Sequence, residues 1–385
     1  MSSCPISPVK VKVLVTGSAG FVGRNLCVAL ARTAGVELWQ CDVGSPAAAL
    51  EAGLANADLI FHLAGVNRPQ TTDEFQTGNA GLTEEICHKL LALSRKPKLV
   101  LSSSVQAEYD NPYGLSKRQA EAALCAYADR SGAPAVVHRL KNLFGKWCRP
   151  NYNSVTATFC HNIANGLPIQ VSDPRNIVDL TYVDDVVSAF LTELTDSPPG
   201  FRMAEPLPSH QITLGDLAAL ITSFRDLRQT LLLPDFSHAF VRALYATYLS
   251  YLPTNAFAYG LNIKTDNRGS LAEWIKQPGI GQIFISHSKP GVIRGNHFHH
   301  TKVEKFLVVQ GEAVVRFRPI QGEEIIEYPV KGEDYKVVDI PPGYTHCIEN
   351  IGAGDLVTLF WSSEVFDPAR PDTIFDPVIK QGKPT

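Results

Sequence analysis

A tyrosine and a lysine four residues apart, Tyr113 and Lys117, close the stretch LSSSVQAEYDNPYGLSK from Leu101 to Lys117. On a helix, residues at that spacing share one face. An ammonium held beside a phenol favours the phenolate and lowers its pKa from the ordinary value of about 10. Tyr113 then becomes a usable proton donor or acceptor near neutral pH. Ser102, Ser103 and Ser104 come just upstream, at the end of the apolar run Lys98–Leu101. A serine at a strand end can hydrogen-bond the same carbonyl oxygen that Tyr113 protonates. A bare Tyr-x-x-x-Lys is more often a surface tyrosine with a solvated lysine, so its weight rests on what precedes it.

A second group of reactive residues lies in the last third of the chain. Gly291-x5-His297-x-His299-x4-Glu304-x6-Gly311 and Pro341-x-Gly343-x2-His346-x3-Asn350 carry three histidines and a glutamate between glycines. On a strand, residues two apart point to one side. His297 and His299 therefore converge, Glu304 follows after a turn, and His346 comes from a different hairpin. Three imidazoles and a carboxylate suit a divalent transition metal, zinc first, then iron, nickel or manganese. One His-x-His usually means nothing, but this fuller set is much harder to obtain by chance. The competing reading is a histidine cluster that binds substrate without metal.

The elements that must position the first group begin at Val11–Val15, a buried parallel strand by composition. It runs into Thr16-Gly17-Ser18-Ala19-Gly20-Phe21-Val22-Gly23 and an apolar-periodic helix, Phe21–Arg32. Strand, glycine turn and helix in that order form the context of a dinucleotide fingerprint. Gly17 permits the tight turn, Gly20 lets the backbone approach a pyrophosphate, and Gly23 allows close helix–strand packing. The helix N-terminus faces the phosphates, which makes Gly17, Ala19, Gly20, Phe21, Val22 and Gly23 the expected cofactor contacts. The alternative is a glycine-rich turn with no ligand. A second strand, Glu37–Asp42, brings Asp42 to the adenosine ribose, where a carboxylate favours NAD. Arg24, just past the glycines, could instead meet a 2′-phosphate and favour NADP.

Ala57–Ala64 is the next strand, and Leu63, Ala64 and Gly65 let the backbone lie along the dinucleotide. His62 within it reads as a packed core residue. A helix over Gly81–Arg95, a strand over Lys98–Ser104 and a helix over Tyr113–Ala128 follow. Alternating strands and helices imply a Rossmann-type, doubly wound parallel sheet with helices on both faces. Asp184 and Asp185 open a helix, Asp185–Leu194, where carboxylates cap amides and suit the dipole. That reading outweighs metal or acid–base chemistry at the pair. Beyond Ser250–Tyr259 the helical pattern stops. Short apolar runs follow, Gly281–Ser286, Lys305–Arg318, Glu324–Val330, Tyr335–Ile340 and Asp355–Trp361, which read as an antiparallel sandwich or barrel. The expected domains are residues 1–252 and 253–385.

A length of 385 residues accommodates two domains, and 45% hydrophobic with 19% charged residues is enough to bury large cores. The net charge of −3 argues against a nucleic-acid binder held by bulk electrostatics. Eight scattered cysteines, none in a Cys-x-x-Cys pair, read as reduced cytosolic thiols. The opening MSSCPISPVK lacks the apolar core of a signal peptide. The apolar stretch Phe240–Leu252 is too short to span a bilayer. The expectation is a soluble, cytoplasmic protein without membrane insertion.

TGSAGFVG, HLAG, Asn79, SSS, YGLSK, RLKNLFG at Arg139–Gly145 and YVDD at Tyr182–Asp185 resemble the extended short-chain dehydrogenase/reductases that act on nucleotide sugars, over residues 10–250. The resemblance implies a catalytic group of Ser104, Tyr113 and Lys117. Only eight residues separate Ser104 from Tyr113, fewer than is usual, which leaves Ser103 as the second candidate. It also implies that the stretch from Arg139 to about Asp179 holds the sugar nucleotide. Within it, Lys146–Ser154 is rich in donors and aromatics, which suits a uridine diphosphate. Pairing through the Tyr113 helix and the one before it, as a two-fold homodimer, is a further implication.

The histidine motifs resemble the cupin family and imply an all-β jelly-roll barrel. The second motif lacks a glycine six residues before Pro341, where Tyr335 sits, which should alter a turn and not a ligand. Asp266–Ser270 is similar to the opening of cupin epimerases of deoxy-keto sugars. Together the two parts resemble bacterial capsule-precursor enzymes of CapF/WbjC type. That resemblance implies C3 epimerisation of a UDP-linked 4-keto-6-deoxy-N-acetylhexosamine in the cupin, then C4 reduction with NADPH, NAD being possible. One competing reading is a 4,6-dehydratase or 4-epimerase with a cupin that only binds. A dehydratase needs an acid–base pair beside the serine, commonly Asp-Glu, where this chain has Val105-Gln106. Another is a nucleotide-sensing regulatory protein, a class that tends to lose the Tyr/Lys pair kept here.

Overall fold

Six parallel strands form the first sheet, in the order Val36–Cys41, Val11–Thr16, Leu59–His62, Lys98–Ser104, Pro134–Leu140, Gly200–Met203. The structure, a computed structural model, describes residues 10–380; Cys4 and the opening residues read for a leader lie outside them. The second and third strands flank the first, so the strand order reverses there and leaves a crevice at the carboxyl ends. Alternation along each strand fills both faces. Leu14, Ile60, Leu99 and Val137 pack with Ile86, Leu90, Leu124 and Tyr127 on one side. Val13, Val15, Phe61, Val100 and Val136 pack with Leu26, Leu30, Val186 and Phe190 on the other. Each such side chain contributes about 1.5–3 kcal/mol by leaving water. Truncating fully buried Phe61 to alanine would destabilise by about 3–5 kcal/mol.

The helix bearing Tyr113 begins at Pro112 and ends at Ser131, longer than the sequence pattern indicates. Asn111 caps it, its side chain accepting from Gly114 N–H at 2.8 Å, with Pro112 at the first position. Gly132, at φ 70°, terminates it. The glycine-turn helix covers Phe21–Leu30 and stops short of Arg32. The helix expected over Gly81–Arg95 covers Leu82–Ala92 and is preceded by a π-helical segment, Gln76–Gly81. The helix expected from Asp185 starts at Val183, so Asp184 and Asp185 lie inside its first turn and make no capping bond. Asp184 pairs with Lys146 instead. A small sheet of Asn142–Phe144, Ile177–Tyr182 and His210–Thr213 has no counterpart in the sequence reading. Among the described residues no helix is long and apolar enough to cross a membrane.

The C-terminal part is all-β, a cupin-type jelly roll of two antiparallel sheets. One orders Ile263–Asp266, Gly269–Gln277, Gly281–Ser288, Leu356–Ser362, Glu304–Gln310, Val337–Ile340. The other orders Ile326–Lys331, Glu312–Pro319, Tyr344–Asn350, Ile293–Phe298, Ile374–Phe375. Phe306, Val308, Val315, Phe317, Ile340 and Phe360 form the core. The run Lys305–Arg318 is two strands, not one. Gly311, at φ 88°, lets the chain pass from one sheet to the other. Tyr335, where the motif lacks its glycine, takes the left-handed conformation itself at φ 47°. This costs about 1–2 kcal/mol and keeps the turn.

By contact density the chain forms two units. One comprises the described residues up to 222 with 237–253, the other 223–236 with those from 254 onward.

Candidate active sites

At the crevice beside the first strand, a cleft of about 360 Å³ is lined by Gly17, Gly20, Asp42, Val43, Leu63 and Ala64 among others. Gly17 has φ 69°, and a Cβ there would lie 2.6 Å from the Ala64 nitrogen. A Cβ on Gly23 would lie 2.0 Å from the Gly17 carbonyl oxygen, so this glycine serves packing behind the turn. Ala19 N–H donates to the Asp42 carboxylate at 2.7 Å, and Val43 N–H to its other oxygen at 2.8 Å. Phe21 and Val22 sit half-buried in the first helical turn, and Arg24 is exposed, its guanidinium 5.3 Å from the Trp147 ring centroid. His62 is a core residue. It bonds Thr16 and Thr83 at 2.7 and 3.1 Å, and burial, with Lys117 adding to it, lowers its pKa to about 3.

Strand alternation separates the serines. Ser103 points into the interior and donates to Glu121 at 2.5 Å, and Arg139 holds that carboxylate at 2.9 and 2.6 Å. Ser104 faces Tyr113: burial raises the phenol's pKa, and a hydrogen bond with Ser104 pulls it back. Lys117 is held against the end of the strand. Its Nζ donates to the Ser102 carbonyl at 3.2 Å and lies 5.9 Å from the Tyr113 ring centroid. Burial lowers its pKa to about 8, opposed by Glu121. The free site thus holds a protonated phenol, the form a proton donor needs.

Phe75 contacts Tyr113, their ring centroids 5.4 Å apart. Asn79, in the π-helical segment, bonds the Val66 backbone on both sides at 2.8 and 3.1 Å and Ser116 at 3.0 Å, fixing the loop after the third strand. Arg139, at the start of the stretch expected to hold the sugar nucleotide, braces the Lys98–Ser104 strand through Glu121. In Lys146–Ser154, Tyr152 lies under Arg149 at 5.1 Å and Arg68 at 5.8 Å.

His297, His299, Glu304 and His346 are brought together, one ligand atom of each lying within 4.8 Å of the others. Gly295, at φ 101°, and Asn296, at φ 59°, form a bulge that sets His297 directly opposite His346. The Glu304 carboxylate lies 3.4 Å from His299 Nε2 and 3.5 Å from His346 Nε2. Burial would raise its pKa, but these imidazoles and Lys302 outweigh it and hold the carboxyl well below the usual range. Burial, then the neighbouring His346, lowers His297 to about 4. Among the described residues, buried His299 Nε2 and both ring nitrogens of His346 have no hydrogen-bond partner. Unsatisfied buried nitrogens are costly unless something ligates them. A donor set of three histidines and one carboxylate fits a divalent transition metal.

Residues 13–201 match the NAD dependent epimerase/dehydratase family, and residues 264–374 match the polysaccharide biosynthesis C-terminal domain. Fold and site thus define a nicotinamide-dependent enzyme joined to a polysaccharide-biosynthesis cupin. The chain is 43% identical, over 94% of its length and 97% of the relative's, to the UDP-2-acetamido-2,6-beta-L-arabino-hexul-4-ose reductase of Pseudomonas aeruginosa. It is 45% identical to the capsular polysaccharide assembling protein CapF from Staphylococcus aureus, whose crystal structure superposes with a TM-score of 0.88 over 95% of this chain and 99% of that one. A more distant relative, the spore coat polysaccharide biosynthesis protein SpsL of Bacillus subtilis, is 28% identical over 28% of this chain and 78% of its own. The chain belongs to the family of the UDP-2-acetamido-2,6-beta-L-arabino-hexul-4-ose reductases.

Proposed function

We propose that the chain is a bifunctional UDP-sugar enzyme. The cupin, residues 253–385, inverts C3 of UDP-2-acetamido-2,6-dideoxy-hexos-4-ulose. The reductase domain, residues 1–252, then reduces C4 with NADPH to UDP-N-acetyl-6-deoxy-L-talosamine, a precursor of UDP-N-acetyl-L-fucosamine and capsule. The observation that carries this reading is a Ser104–Tyr113 proton-donor pair and a metal-competent cluster on one chain whose near-full length aligns with the Pseudomonas reductase.

When bound, the nicotinamide supplies the hydride. Tyr113 gives its phenolic proton to the oxygen on C4, and Ser104 donates a hydrogen bond to that same oxygen. Lys117 stabilises the phenolate left behind. His297, His299, Glu304 and His346 would hold a divalent cation, zinc by preference, which would supply Lewis-acid polarisation of a carbonyl oxygen. Beside the cluster, Lys302 Nζ lies 3.4 Å from Glu304. The ring of His300 rests against Phe298, and that of Tyr344 against Phe317. His300, Lys302 and Tyr344 border the cluster and are the candidates to carry the C3 proton. Reduction removes the ketone that makes C3 acidic and so fixes the inverted configuration, which is the reason to join the two activities. The same reading makes the protein a cytoplasmic homodimer, paired through helices Leu82–Ala92 and Pro112–Ser131.

The test is NADPH consumption with and without the 4-keto-6-deoxy sugar nucleotide, and NMR of the product formed in deuterated water. Oxidation only with that substrate, deuterium at C3, and no oxidation by Tyr113→Phe are the expected results. Undiminished turnover in that variant rules out the assignment.

A further inference from the structure

Between the histidines of the metal-competent cluster and the end of the described chain, one carboxylate gathers an unusual number of donors. Asp372 accepts from the backbone N–H groups of His300, Thr301 and Lys302 at 2.9, 2.8 and 2.9 Å, and from the Thr301 hydroxyl at 3.1 Å. Its own backbone carbonyl accepts from Nδ1 of His299. These contacts clamp the turn that joins His299 to Glu304, and they bridge some seventy positions of sequence. Lys302 Nζ is held alongside by Thr373 at 3.2 Å. The next residues continue the support. Ile374 and Phe375 pair with Phe298 and His297, and Asp376 bonds buried Arg318 at 2.7 Å.

We propose that Asp372 is a positioning residue of the cupin's metal centre, which rests on the reading of His297, His299, Glu304 and His346 as ligands. Two effects follow from its geometry. The carbonyl fixes the His299 tautomer, with the proton on Nδ1 and the lone pair of Nε2 aimed at Glu304 and the cluster. The carboxylate fixes the 300–302 turn, so that Lys302 and Glu304 emerge at set positions on either side of it. Outer partners of metal ligands typically govern affinity by about 10–100-fold.

The experiment uses the full chain loaded with zinc and titrated with a competing chelator, beside the cobalt(II)-loaded protein for its d–d spectrum. Asp372→Ala is expected to weaken zinc 10–100-fold, shift the cobalt bands, and slow deuterium entry at C3. NADPH reduction of a pre-epimerised substrate should stay at the wild-type rate. Asp372→Asn keeps the size and one acceptor oxygen but faces N–H donors with an amide NH2. It should fall between the two and decides the matter if the alanine variant does not fold. Asp367→Asn, at a nearby half-buried carboxylate paired with Arg370, should behave as wild type. Zinc affinity within twofold of wild type and an unchanged cobalt spectrum in the folded Asp372 variants overturn the proposal alone. A wild-type protein that takes up neither metal overturns the ligand reading, and this proposal with it.

Discussion

The Lys117 ammonium donates to the carbonyl oxygen of Ser102, 3.2 Å away, and so ties the helix bearing Tyr113 to the end of the Lys98–Ser104 strand. Burial lowers the lysine's pKa to about 8, from the ordinary 10.5 that it keeps in the unfolded chain. Between those values the unfolded state binds more protons, so stability climbs with pH across that window. The difference amounts to about 3 kcal/mol. Denaturant unfolding of the cofactor-free protein at pH 7.5 and 10 should show the gain in wild type and not in Lys117→Met. Equal slopes in both would place the group's titration elsewhere.

Adjacent serines should separate stability from catalysis. Ser103→Ala removes one donor from buried Glu121 and is expected to destabilise by about 1–2 kcal/mol while leaving turnover near wild type. Ser104→Ala should leave stability nearly unchanged and lower kcat about 100-fold, the scale of a donor lost from a developing oxyanion. Thermal unfolding and steady-state rates on the two variants check this, and the opposite assignment makes Ser103 the catalytic serine.

Cofactor choice sets Asp42 against Arg24. The carboxylate lines the cleft and is anchored by two backbone N–H groups, while the guanidinium is exposed beside the glycine turn. For a protein that uses NADPH, Arg24→Ala should lower kcat/KM for NADPH by about 10-fold, the loss of one charge-assisted contact, and leave NADH untouched. A fall with NADH alone would reverse the preference.

Metal should stabilise the cupin and not the parallel-sheet unit. Zinc at 100 times its Kd adds about 2.7 kcal/mol to the state that binds it. Calorimetry should show one transition rising with zinc and falling with chelator. His346→Ala, which removes a buried ligand, should abolish that response. A zinc-insensitive wild type would return the cluster to substrate binding alone.

Local chemistry was legible in the residues. The glycine turn, the Tyr113–Lys117 spacing and the His297-x-His299 pair are set by neighbours a few positions apart, and each lies where the pattern placed it. What escaped is non-local. Nothing near Ser103 announces Glu121, and nothing near His299 announces Asp372. The π-helical segment at Gln76–Gly81 and the bulge at Gly295–Asn296 insert single residues into regular periods, which blurs them instead of marking them. For Lys117, spacing gives the face of a helix but not the strand carbonyl opposite, that of Ser102. Lys305–Arg318 read as one run because a lone Gly311 inside an apolar stretch hides a change of sheet.

The backbone passes between the two units three times, at 222/223, 236/237 and 253/254. Leu231 and Leu233 exchange backbone hydrogen bonds with Lys276, so the short excursion is stitched into the second unit. A protease that nicks the polypeptide after Pro253 therefore severs the covalent path to residues 254–385, and what then retains the barrel is its hydrogen bonding to the 223–236 segment, which stays joined to the first unit at 222/223 and 236/237.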